Sequence, residues 1–137
     1  MATIRKEITL DARPEDVWDA LRDFGRLHER LVPGFVVDAH VEGDTRIITF
    51  FNGAVAREQL VGIDDADRRL AYTVTESALG LTHHNGAAQV VAHGDGGSRF
   101  VWTTDLLPDD RTEQVGALME RGIAAVRDAM EGAGARP

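Results

Sequence analysis

Glu58, Tyr72, Glu76 and His84 are the side chains of this sequence best suited to hold or move a proton, and they fall within one stretch of alternating residues. A carboxylate shielded from water can act as a general acid or base, and a tyrosine hydroxyl beside it can donate to a carbonyl or an enolate. His84 adds an imidazole, whose charge changes near neutral pH. It follows His83, however, and adjacent strand residues face opposite ways, so only one of the two can point inward. Glu58 also has a structural role open to it, an ion pair with Arg46 or Arg57 that ties neighbouring strands together. Metal chemistry is not expected. His28, His40, His83, His84 and His93 include no helical i, i+4 pair, cysteine is absent, and Asp64-Asp65-Ala66-Asp67 lacks the ligand spacing of a calcium loop. No glycine-rich phosphate loop opens a helix, and no cofactor is implied.

These groups are positioned by strands. Residues 3–10 alternate, with Ile4, Ile8 and Leu10 on one face. Pro14 suits a first helical position, Glu15 and Asp16 suit the positive end of a helix dipole, and Val17, Trp18, Leu21 and Phe24 follow at helical spacing. A second short helix through Leu27 and Leu31 ends at Pro33-Gly34. From Phe35 to Leu107 the chain reads as six strands divided by turns at Gly43-Asp44, Asn52-Gly53, the acidic run at 64–67 and Gly94–Gly97. Asn52-Gly53 is expected to be a type I′ hairpin turn. A long helix is expected from Asp109 or Asp110, with Val115, Leu118, Met119, Ile123, Val126 and Met130 along one stripe. The reading is one α+β domain over 1–131: a seven-stranded curved antiparallel sheet, two short helices after the first strand, and a long C-terminal helix covering the sheet. Residues 132–137 read as a disordered tail.

Alternation fixes the inward face. On the strand from Leu70 the inward set is Leu70, Tyr72, Val74 and Glu76. On the next it is His84, Gly86, Ala88, Val90 and Ala92, and on the last Phe100, Trp102, Thr104 and Leu106. Glu58 joins them with Leu60. Gly86, Ala88, Ala92 and, on the helix, Gly122 are small where a solid core calls for Leu or Ile. Either they let elements approach closely or they leave a void, and an apolar void with a few converging polar groups is what a small-molecule site looks like.

Composition narrows the partners. Fifteen basic residues against 23 acidic ones give a formal charge of −8, which argues against nucleic acid and against an anionic membrane surface. No apolar run approaches ~18 residues, so no membrane insertion is expected. The first residues carry charges where a signal peptide needs an apolar core. Together with the lack of cysteine, this leads to a cytoplasmic expectation.

Several stretches carry a resemblance. They are Ala12-Arg13-Pro14-Glu15-Asp16-Val17-Trp18, Asp23-Phe24, Val32-Pro33-Gly34, Arg46, Asn52-Gly53, Arg57-Glu58-Gln59-Leu60, Ile63-Asp64-Asp65 and Arg68-Arg69-Leu70-Ala71-Tyr72. With these the chain resembles the helix-grip superfamily called START-like or SRPBCC, in its polyketide cyclase/dehydrase and lipid-transport branch. The resemblance implies a hydrophobic cavity between sheet and long helix, with residues matching Glu58, Tyr72 and His84 in it, a gating loop at 77–82, and Met119 and Ile123 closing it. Trp18 is expected where the first helix seals the mouth, with Phe35, Leu60, Val74, Leu81, Gly86, Ala88, Trp102 and Thr104 completing the lining. The expected function is binding of a small, largely apolar ligand that is aromatic, polyketide-like or a lipid. An enzyme of cyclase or dehydratase type using Glu58, Tyr72 and His84 is the alternative. A protein-partner module docking through the 77–82 loop is a further one, and a homodimer is compatible with each.

Overall fold

The structure is a computed structural model and describes residues 1–134. The first alternating segment forms β1 (Ala2–Leu10). Pro14 opens α1 (Pro14–Arg22) at the position where its missing N–H costs nothing, with Glu15 and Asp16 in the first turn. A 3-10 turn at Phe24–Arg26 leads into the single-turn α2 (Leu27–Arg30). Six strands follow: β2 (Val36–Glu42), β3 (Thr45–Phe50), β4 (Val55–Asp64), β5 (Arg69–Glu76), β6 (His83–His93) and β7 (Gly97–Leu107). They pair antiparallel in the order β1-β7-β6-β5-β4-β3-β2, one seven-stranded sheet in which β1 flanks the last strand. The chain closes with α3 (Thr112–Gly134), whose Val115, Met119, Ile123, Val126 and Met130 are buried against the sheet. Lys6 of β1 and Glu120 of α3 join sheet edge and helix by an ion pair of 2.8 Å. This is the α+β architecture expected from the hydrophobic pattern, and it is the helix-grip fold that the resemblance implies.

The structure corrects several details. Asp109 and Asp110 do not begin the long helix: they form a 3-10 turn (Asp109–Arg111), and α3 starts at Thr112, whose hydroxyl donates to the Asp109 carbonyl at 2.6 Å. The β3–β4 turn is longer than a two-residue hairpin. Gly53 has φ +85°, but Asn52 does not share its left-handed conformation, and the Asn52 side chain instead accepts from the Ala54 N–H. The Phe51 N–H is thereby free to donate to the Phe35 carbonyl at 2.9 Å. Residues 132–134 of the expected tail continue α3, and 135–137 lie outside the described residues. Glu76 is exposed because β5 pairs with β6 only from Arg69 to Thr73, so the end of β5 runs past its neighbour. Ala92, next to the β6–β7 hairpin end, is exposed as well.

The first helix is pinned from outside the core. The Trp18 indole N–H donates to Asp65 Oδ1 at 3.0 Å, and Arg22 reaches the same oxygen at 2.9 Å. The acidic β4–β5 turn thus anchors α1, while Asp64 caps the turn through the Ala66 and Asp67 N–H groups.

Candidate functional site

A cavity of about 100 Å³ lies between the inner face of the sheet and α3. Its walls are mainly apolar. Leu21 of α1, with Leu27, Leu31 and Val32 of the α2 region, closes one side; Phe35, Val36, Ile48 and Phe50 come from the β2–β3 side. Leu70, Ala88, Phe100 and Trp102 form the sheet wall, and Val115, Leu118, Met119 and Val126 the helix wall. Four titratable side chains join them: Arg46, Glu58, Tyr72 and His84.

Arg46 and Glu58 stand opposite each other on β3 and β4, and Arg46 Nε donates to Glu58 Oε1 at 2.8 Å with both side chains nearly sealed from water. Arg57, the other candidate partner, faces Glu42 at 3.3 Å on the exposed side. The Arg46 guanidinium also donates to the Phe24 carbonyl at 3.2 Å and lies 4.3 Å from the Phe24 ring centre, a cation–π contact. These contacts replace much of the water lost by the charge on burial.

Tyr72 lies across Gly86. A Cβ built on Gly86 would stand 2.3 Å from Tyr72 Cζ and 2.4 Å from its hydroxyl oxygen, so the glycine exists to admit the ring. That hydroxyl accepts from Trp102 Nε1 at 3.0 Å, a bond that leaves its own proton for another acceptor. Gly122 performs the same service on α3, where a Cβ would stand 2.8 Å from the Trp102 ring and 3.1 Å from Phe35. The small residues therefore seat aromatic rings rather than bound an empty space. Thr104 pairs with Gly86 across β6–β7; its Oγ1, and Nδ1 of His84, are buried without a hydrogen-bond partner among the described residues.

Residues 1–133 match the family described as polyketide cyclase/dehydrase and lipid transport. The chain belongs to this family. Among solved structures, the Bacillus cereus protein XoxI superposes with a TM-score of 0.88 at 18% identity, over 99% of this chain and 100% of its own. A Thermobifida fusca protein gives 0.78 at 24% identity, over 96% and 91%. Norcoclaurine synthase from Thalictrum flavum, in complex with dopamine and hydroxybenzaldehyde, gives 0.74 at 21% identity, over 96% and 85%. At these identities the likeness is one of fold.

In this polyketide cyclase/dehydrase and lipid transport family member, the cavity brings together Phe35, Glu58, Tyr72, His84, Ala88, Trp102, Thr104 and Met119 of the expected set. Trp18, Leu60, Val74 and Ile123 pack in or against the core outside the lining, and Glu76 faces water. Gly86 borders a second hollow of about 390 Å³ on the opposite face of the sheet, together with Arg69, Ala71, Ala87 and Asp105. In the 77–82 loop it is Leu79, not Leu81, that reaches the cavity; both pack against Leu106, Val115 and Met119. From α1 it is Leu21, not the expected Trp18, that lines the cavity, and the α2 region adds Leu27, Leu31 and Val32, which the expected set lacks although Leu27 and Leu31 at i, i+4 mark one apolar helical face. Among the described residues, no three His, Asp or Glu side chains cluster closely enough for a metal ion, and no helix is long and apolar enough to cross a membrane.

Burial pushes the Tyr72 hydroxyl well above its ordinary range, with the Glu58 charge adding to the effect, so it stays protonated. Burial holds the His84 imidazole below its usual value of 6.5; the Glu58 charge opposes this in part and His83 adds to it. Below about pH 6.5 the unfolded chain therefore binds a proton that the folded chain resists. Stability contributed by neutral His84 is complete above that pH and declines as pH falls toward the folded-state value. We expect His84→Gln to narrow the gap in urea-unfolding free energy between about pH 7.5 and pH 5.5. A gap as wide as wild type's would show that His84 is not held neutral by burial.

Proposed function

We propose that this chain binds a small, largely apolar ligand in the cavity between the sheet and α3. One observation carries the reading: the mainly apolar lining includes Thr104 and His84, whose Oγ1 and Nδ1 are buried with no hydrogen-bond partner among the described residues. Each unpaired group costs about 1–3 kcal/mol, a cost that a ligand oxygen in hydrogen-bonding position offsets. The volume suits a molecule of roughly one ring, since an engineered apolar cavity of about 150 Å³ takes up benzene. Norcoclaurine synthase, with dopamine and hydroxybenzaldehyde, holds molecules of that scale on the same fold. A cytoplasmic setting belongs to the same reading, because a chain without cysteine has no need of an oxidising compartment.

Toluene tests the reading directly. Its addition is expected to shift the NMR resonances of Ala88, Leu118 and Met119 saturably, and Ala88→Leu, which fills space at the wall, is expected to abolish the shifts. A wild-type spectrum indifferent to toluene and to its oxygen-bearing analogues benzyl alcohol and benzoate would refute cavity binding.

Proton-transfer catalysis is the second reading, and His84 favours it: a half-buried imidazole held toward its neutral form, with a buried and unpartnered Nδ1, is a competent proton acceptor. Glu58, engaged by Arg46, is the lesser candidate for that role. Docking through the 77–82 loop loses its support from the packing of Leu79 and Leu81 into the core beside α3.

A further inference from the structure

We infer that the cavity selects an uncharged ligand carrying a hydroxyl or carbonyl oxygen, and that the Arg46–Glu58 pair enforces this by leaving no net charge inside. The inference rests on the cavity-binding reading and adds the chemical class of the ligand. Among the described residues Arg46 is the one permanent cation of the lining, and its charge is met by Glu58 at 2.8 Å. Lys6 on β1, the one lysine of the sequence, is paired with Glu120 of α3 and is absent from the lining. Beside this pair, the polar groups the lining offers a ligand are neutral: the Tyr72 O–H, the Thr104 hydroxyl and a ring nitrogen of His84.

These groups are placed to act together. Tyr72 and Thr104 flank Gly86 on the two neighbouring strands, the Tyr72 hydroxyl oxygen lying 2.4 Å from the position a Gly86 Cβ would take. His84 is two residues from Gly86 on the same face of β6. A ligand oxygen at this point accepts from Tyr72 and exchanges a hydrogen bond with Thr104 or His84. A carboxylate in the same place gains those bonds but loses its hydration with no cation to compensate, and burying an unpaired ion costs more than neutral donors return. Fatty acids and aryl carboxylates are therefore excluded, and alcohols, phenols, aldehydes and ketones admitted.

Three molecules of one skeleton provide the test: toluene, benzyl alcohol and benzoate, titrated by NMR into the full chain at about pH 7.5. Benzyl alcohol is expected to bind most tightly, and benzoate at least about 30-fold more weakly than the alcohol. Thr104→Val is expected to bring benzyl alcohol down to within about threefold of toluene. Glu58→Gln keeps an acceptor for Arg46 Nε but removes the countercharge. It is expected to raise the affinity for benzoate relative to benzyl alcohol at least about tenfold. The net charge of −8 changes by a single unit in that variant, so a selective gain of this size originates inside the cavity. Wild-type affinities for benzoate and benzyl alcohol within threefold of each other would overturn the inference, whether or not Glu58→Gln folds. So would a folded Glu58→Gln with an unaltered preference. Failure of all three molecules to bind would remove the cavity-binding reading itself.

Discussion

Gly86→Ala is expected to lower the unfolding free energy by about 3 kcal/mol and to abolish ligand uptake, although it adds a single methyl group. The new Cβ would stand 2.3, 2.4 and 2.8 Å from Tyr72 Cζ, Oη and Cε1, distances no side-chain carbon tolerates. Gly86 sits mid-strand, held by pairing to Tyr72 on one side and Thr104 on the other, so the backbone cannot retreat. The ring must move instead, and the free space beside it is the cavity. Swinging there breaks the 3.0 Å bond from Trp102 and fills the volume a ligand would take. Urea unfolding measures the stability loss, and toluene titration the lost binding. Combining Gly86→Ala with Tyr72→Leu is expected to cost less than the sum of the two single changes, because the truncated side chain removes the collision. An additive pair would mean that Tyr72 is not what the glycine accommodates.

This expectation follows one of the two readings the small inward residues leave open, close approach rather than a void, and the reason the sequence does not choose between them is physical. Alternation with period two is visible in any strand, so the inward placement of Leu70, Tyr72, Ala88, Phe100 and Thr104 was legible from residue types alone. The stripe on α3 and the order of elements were legible for the same reason. A small residue on an inward face, in contrast, carries no sign of whether the space above it is empty or filled. That depends on the rotamer of a side chain one strand away, here Tyr72 over Gly86 and Trp102 beside Gly122. Register irregularities are hidden likewise. The pairing of β4 with β5 shifts between Arg57 and Glu58 and again between Leu60 and Gly62, and exposed Val61 lies in the second shift. Counting residues from the turn could not reveal either. The contribution of Leu21, Leu27, Leu31 and Val32 to the cavity depends on how the short helices lean on the sheet, a tertiary property that local periodicity does not encode.

The choice between Arg46 and Arg57 as partner of Glu58 was open in the sequence for that same reason, and it leads to the second large effect. Arg46→Met is expected to destabilise the protein by about 3–5 kcal/mol, because it leaves the Glu58 carboxylate buried at 7% exposure without its countercharge. Arg57→Met, which removes an exposed partner of Glu42, is expected to cost no more than about 1 kcal/mol. Adding Glu58→Leu to Arg46→Met is expected to recover most of the loss, since neither charge then has to be desolvated and two apolar side chains can pack against Phe24 and Tyr72. The sign of that recovery separates the two roles the pair could have. A pair kept chiefly for stability leaves the double variant nearly as weak as Arg46→Met alone. A pair kept to place compensated polarity in an apolar cavity gives a stable double variant that still takes up toluene.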